Sequence, residues 1–205
     1  MEEAVEYIFQ EHCFDDQGNQ TRRLTGVGIS LGAAVLANLA ARLGKKNRFD
    51  AHFGLCCHFD WRSAYDFLKQ KFFGFFDYVL GLGMLVSLRD SFAQFDQLAQ
   101  KKFPERLVGH LVANARTLTI DFTTIAAISG GFTYEEYLDK SDVTTILHKI
   151  EQPFFFMSAE DDTFFGSQVI PISHCYEKIL IGVTKTGGHC GYLEGLIFPT
   201  RQWWT

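Results

Sequence analysis

Residues 24–44, Leu-Thr-Gly-Val-Gly-Ile-Ser-Leu-Gly-Ala-Ala-Val-Leu-Ala-Asn-Leu-Ala-Ala-Arg-Leu-Gly, change period in the middle, and that change decides the fold. Leu24 to Ile29 is a short apolar run that reads as a buried strand. Leu31 to Leu43 is rich in Ala and Leu on several faces and stops at Gly44, as a helix packed on a sheet does. Between them Gly28-Ile29-Ser30-Leu31-Gly32 matches G-x-S-x-G at the strand-to-helix junction that this motif requires. Such a turn strains its central residue and exposes the hydroxyl, while the flanking glycines relieve crowding. Ser30 is therefore the candidate nucleophile, and the backbone N–H of Leu31, at the helix start, is the candidate oxyanion donor.

A serine hydroxyl is a poor nucleophile at neutral pH unless a base takes its proton. The base is expected later in the chain, after an acid, in the order Ser, Asp or Glu, His. His189 meets this expectation, because it stands in the glycine-rich segment Thr186-Gly187-Gly188-His189-Cys190-Gly191 directly after the apolar run Ile179 to Thr184. The other six histidines (His12, His52, His58, His110, His148, His174) lack that setting and read as surface or hydrogen-bonded polar residues. The acid is expected on the loop after Pro153 to Ser158, where Glu160, Asp161 and Asp162 are adjacent; Asp162 is favoured and Asp161 is the alternative.

Working outward, Ala51 to Cys57, Pro153 to Ser158 and Ile179 to Thr184 read as further buried parallel strands. Met1 to Glu11, Tyr134 to Leu147 and Tyr192 to Trp204 read as helices, the last interrupted by Pro199. Residues 61–116 show no strand alternation and read as a helical insertion, so the expected organisation is one α/β domain over 1–205 with a helical cap at about 61–116. Phe supplies 21 of the 205 residues, and the aromatic-rich insertion suits an apolar pocket wall. Phe72 to Leu88 allows peripheral membrane contact, although the apolar run is shorter than the roughly 18 residues of a span.

Composition narrows the function classes. A net charge of −5 with scattered Lys and Arg gives no basic footprint, which argues against nucleic acid. Five cysteines (Cys13, Cys56, Cys57, Cys175, Cys190), odd in number and without C-x-x-C spacing, argue against a disulfide framework or a metal site. Reduced cysteines and no signal-like start point to an intracellular protein, in the cytoplasm or at a membrane periphery. Serine chemistry of this kind requires no cofactor and no metal.

Together these segments resemble the YheT-like branch of the α/β-hydrolases. Gly26 to Ala33 is similar to its nucleophile segment, Phe59-Asp60 to its Pro-Phe-Asp with His58 in the proline's place, and Asp121-Phe122-Thr123 to its D-x-x-[FT] loop. Ala159 to Thr163 resembles A-x-D-D-P with Thr163 for proline; Ile170-Pro171 and Thr184 to Gly191 follow in order. The resemblance runs from about Gly26 to Trp203. It implies Ser30, Asp162 and His189 as triad, and a medium-chain acyl or acylglycerol ester as small-molecule substrate. In that branch a far longer segment, carrying early strands and a second oxyanion donor, precedes the nucleophile; here 29 residues precede Ser30. The expectation is a truncated α/β-hydrolase with an exposed sheet edge that a protein partner covers. The competing expectation is a catalytically weak or inactive fragment acting as an interaction protein.

Overall fold

The computed structural model describes residues 1–80, 133–173, 176–194 and 201–202. The described chain forms two compact units, Met1–Trp61 with Asp142–Thr205, and Arg62–Ser141. The first unit is built on four parallel strands, β1 (Thr25–Ile29), β2 (Ala51–Leu55), β3 (Phe154–Ala159) and β4 (Ile179–Thr184), lying in sequence order across the sheet. Parallel neighbours need a crossover, and α2 (Leu31–Leu43) supplies the one between β1 and β2. β1 is an edge strand among the described residues, and Val27 and Ile29 on it are exposed.

The alternation of β3 divides the packing between two faces. Phe154 and Phe156 join Ala33, Ala34, Leu36, Ala37 and Ala40 of α2 in one cluster; Met157 joins Leu55, Cys56 and Tyr192 in the other, with Phe155 packed against it. Alanines let the helix approach the sheet closely. Phe154 and Phe156 stack at 4.0 Å between centroids, and the space they use exists because Gly54 lacks a side chain: a Cβ there would lie 2.8 Å from the Phe156 ring. Gly182 makes the same room for Phe155 on the opposite face, at 2.9 Å.

Before the sheet, α1 (Glu2–His12) is fixed by ion pairs of Glu2 with Arg42 and Glu6 with Arg48. In the second unit α3 (Trp61–Gln70) is followed by a 3-10 turn (Lys71–Gly74) and by helix over 75–80. α4 (Tyr134–Ser141) starts on a capping box in which Thr133 and Glu136 satisfy each other's backbone N–H groups. Of the expected helical cap at 61–116, residues 81–116 lie outside the described residues, as does the Asp121-Phe122-Thr123 loop.

Two expected helices are corrected. The helix expected over Tyr134 to Leu147 ends at Ser141, because the Asp142 carboxylate accepts the Thr144 N–H at 2.8 Å and turns the chain. The helix expected over Tyr192 to Trp204 is replaced, in its described part, by an antiparallel pair, β5 (Leu193–Glu194) with β6 (Arg201–Gln202). Tyr192 sits at φ 46°, which a right-handed helix does not accept, and its N–H is already bound to the Gly187 carbonyl at 2.7 Å. Arg201 to Glu194 and the Gln202 side chain to the Gly191 carbonyl at 3.0 Å hold the pair together.

Candidate active site

β1 delivers Ser30 to the carboxyl end of the sheet, where the chain reverses directly into α2. The turn places Ser30 at φ 53°, ψ −120°, outside the regions that side-chain-bearing residues favour, and such strain persists only where surroundings impose it. Two restraints do so here. The Ser30 N–H donates to the Leu55 carbonyl at 2.8 Å, tying the elbow to β2. The helix backbone also packs so closely on Gly28 that a Cβ there would sit 2.5 Å from the Gly32 carbonyl and 2.6 Å from Ala33 Cα. Gly32 was expected to relieve crowding too, yet a Cβ on it meets nothing within 4 Å among the described residues, so only Gly28 is sterically required. Leu31 opens α2, and its N–H is one of the first four of the helix, which have no acceptor within it.

The loop after β4 carries His189 back over this elbow. Ser30 Oγ lies 2.9 Å from His189 Nε2, and His189 Nδ1 lies 2.9 Å from Asp162 Oδ2. A carboxylate accepts only, so Nδ1 carries the proton and Nε2 is left to accept from the serine hydroxyl. Asp162 is buried at 6% exposure, and its other oxygen accepts the N–H groups of Phe164 (2.8 Å) and Phe165 (3.2 Å). Those two residues also place their rings 4.8 Å from the imidazole centroid, one tilted and one edge-on. Asp161, the alternative acid, points elsewhere: its Oδ1 accepts the Gly188 N–H at 2.8 Å. Glu160 is exposed, and its N–H continues the β3–β4 ladder to the Thr184 carbonyl.

Cys56, at the end of β2, and Cys190 escaped the reading of the sequence. Their sulfurs and a ring nitrogen of His189 all lie within 4.8 Å of one another. The Cys190 N–H donates to Cys56 Sγ at 3.2 Å, and the Tyr192 hydroxyl is 3.7 Å from the same sulfur. With the Cys190 N–H adding a lesser contribution and burial opposing, the main reason the Cys56 thiol is pushed down to about 7 is its side-chain hydrogen bond with Cys190. Cys190 is shifted upward, first by that same bond, so Cys56 is the sulfur favoured as thiolate. Cys56 and Cys190 stand 134 positions apart, so no local spacing signals the pair. Cys175 lies outside the described residues.

Two of the histidines read as surface or hydrogen-bonded residues are buried, and of these only His52 is hydrogen-bonded among the described residues, its Nε2 accepting from the Asn47 amide at 2.9 Å. His52 and His58 are buried, and His52 Nδ1 and both nitrogens of His58 have no partner among the described residues. Burial drives both down, His52 to about 4 and His58 to about 3. His58 lies against Trp61 and Phe165 at 3.9 and 5.4 Å between centroids. His110 and His174 lie outside the described residues.

The chain is 26% identical over 179 residues to the putative esterase YheT of Escherichia coli, an alignment covering 86% of this chain and 51% of that protein. It is 23% identical over 173 residues to the phospholipase ABHD3 of Mus musculus, covering 82% and 40% respectively. Among solved structures, an α/β-hydrolase from Penicillium, GrgF, aligns with a TM-score of 0.49 at 14% identity, covering 93% of this chain and 63% of that one. No family profile matches the chain. A parallel sheet in this order, with a serine on the turn between strand and helix, is an α/β fold, and over most of its length the chain is similar to these relatives named as an esterase and a phospholipase. It spans about half the length of the curated relatives it matches.

Proposed function

We propose that this chain carries the nucleophile, base and acid of a carboxylic-ester hydrolase that acts on lipid-like, medium-chain acyl or acylglycerol esters. The observation that carries the reading is the unbroken hydrogen-bonded line from Ser30 Oγ through His189 to Asp162, at 2.9 Å in each step, starting from a strained serine. The esterase and phospholipase names of the two curated relatives support the ester and the lipid-like substrate.

In this mechanism Ser30 Oγ attacks the ester carbonyl while its proton passes to His189 Nε2. The imidazolium is stabilised by Asp162, whose second oxygen is fixed by the Phe164 and Phe165 N–H groups and so holds its orientation. Negative charge develops on the carbonyl oxygen within reach of the Leu31 N–H at the start of α2. The proton on Nε2 leaves with the alcohol as the carbonyl re-forms, giving an acyl-serine. Water then repeats the sequence, with His189 taking its proton and returning it to Ser30.

The test is covalent labelling of the purified chain with a fluorophosphonate, alongside turnover of p-nitrophenyl esters of graded acyl length. Labelling should be lost in Ser30→Ala and in His189→Ala. A well-folded chain that labels neither at Ser30 nor elsewhere removes the proposal.

A further inference from the structure

We propose that Cys56, Cys190 and His189 form a three-ligand site for a soft, closed-shell cation of the Zn2+ type, and that occupancy switches the serine off by taking its base.

The three donors are the set such a cation prefers, two thiolates and one imidazole, whereas hard Mg2+ or Ca2+ would require oxygen ligands. Their donor atoms lie within 4.8 Å of one another, while tetrahedral Zn2+ with bonds of about 2.3 Å to sulfur and about 2.0 Å to nitrogen needs separations of about 3.5 Å. The required contraction is on the order of 1 Å, within what small side-chain rotations supply. Two further features resemble a built site. Cys56 and Cys190 both occupy the left-handed region, at φ 49° and 64°, where a residue with a Cβ is held only at a cost. The surrounding hydrogen bonds are also those that support metal ligands: the Cys190 N–H on Cys56 Sγ, and the Asp162 carboxylate on His189 Nδ1.

That last bond fixes the consequence. With Nδ1 held by Asp162, the nitrogen left for a metal is Nε2, the one Ser30 Oγ donates to. Binding replaces up to two thiol protons by one Zn2+, giving a neutral Zn(thiolate)2(imidazole) with a fourth position for water or Ser30. No electron is transferred, and no partner beyond the cation is needed. Cys56 is buried, but Cys190 and His189 are partly exposed and provide the way in.

The site itself stands on the geometry alone; its regulatory effect rests on the proposed function. The experiment uses the whole reduced chain near neutral pH. Zn2+ affinity is read by competition with a chromophoric chelator, Co2+ binding by its absorption spectrum, and Ser30 reactivity by fluorophosphonate labelling. We expect one equivalent of Zn2+, thiolate-to-cobalt charge-transfer bands, and an affinity loss of at least about 100-fold in Cys56→Ser and in Cys190→Ser but not in Cys13→Ser. Saturating Zn2+ should slow labelling at least about tenfold, with recovery on adding a chelator. Unchanged affinity in both cysteine variants, or a Co2+ spectrum without thiolate bands in the wild-type chain, overturns the site; the spectrum decides even if a variant fails to fold. Labelling that is unaffected by bound Zn2+ overturns the switch. Cysteine-dependent binding in a chain that never labels supports the site and removes the nucleophile assignment instead, so the two ideas fail separately.

Discussion

Asp161 Oδ1 accepts the backbone N–H of Gly188 at 2.8 Å, so the carboxylate next to Asp162 holds the loop on which His189 rides. Neighbouring aspartates thus divide the work: one meets the imidazole and the other fixes the backbone one residue before it. Asp161→Ala should lower the rate of Ser30 labelling about tenfold without changing its pH midpoint, since a hydrogen bond to a charged group contributes on the order of 2 kcal/mol and the ring still meets Asp162. Asp161→Asn keeps an acceptor oxygen and should recover most of the rate. Equal losses in both variants would remove the loop-holding role.

Asp162→Asn should act differently. An amide there donates as well as accepts, so the imidazole is no longer held with its proton on Nδ1, and esterase turnover should fall by about four orders of magnitude. The fold should persist, because the Phe164 and Phe165 N–H groups can still find an oxygen. Turnover within tenfold of wild type, measured on the same ester, would mean Asp162 is not the orienting acid.

The two glycines of the serine turn make opposite predictions. Gly28→Ala drives a methyl to 2.5 Å from the Gly32 carbonyl and should destabilise by at least about 2 kcal/mol. Gly32→Ala meets open space among the described residues and lies in the first turn of α2, so it should be neutral or stabilising by up to about 1 kcal/mol. Urea midpoints of the two variants would show this order; the reverse order would contradict the close packing at Gly28.

Acid should unfold the chain through its buried histidines. His52 and His58 are held at about 4 and about 3, below the about 6.5 of an unfolded histidine, so the unfolded chain binds more protons below that value. Stability is therefore full above about pH 6.5 and is lost as pH falls toward 4 and then 3, by about 2 kcal/mol per histidine at about pH 5. Urea titrations near neutral pH and at about pH 5 should show the drop, and His52→Phe should remove roughly half of it. A stability that is flat over this interval would be incompatible with two buried neutral rings.

Much of the fold was legible because it depends on local pattern. The limits of α2 follow from its Ala and Leu content and from Gly44, and the four strands follow from short apolar runs between turn residues. The serine turn was legible for the same reason, since a strand, a G-x-S-x-G and a helix in succession describe one local geometry. His189 and the acidic loop could be placed after their strands by chain order alone. The C-terminal segment misled because Tyr192 to Trp204 has helical composition, while the turn that begins at Gly187 binds the Tyr192 N–H and sets that residue at positive φ.

What the sequence determined by itself was therefore the order of elements and the residue types at each loop: a parallel α/β sheet, Ser30 at its turn, a histidine and a group of carboxylates downstream. Choosing among Glu160, Asp161 and Asp162 took the tertiary structure, because adjacent carboxylates differ only in the direction the loop turns them. The meeting of Cys56 with Cys190 took it too. Cys56 directly follows β2 and Cys190 lies in the loop after β4, and parallel register, which no spacing along the chain encodes, is what carries the two to the same end of the sheet.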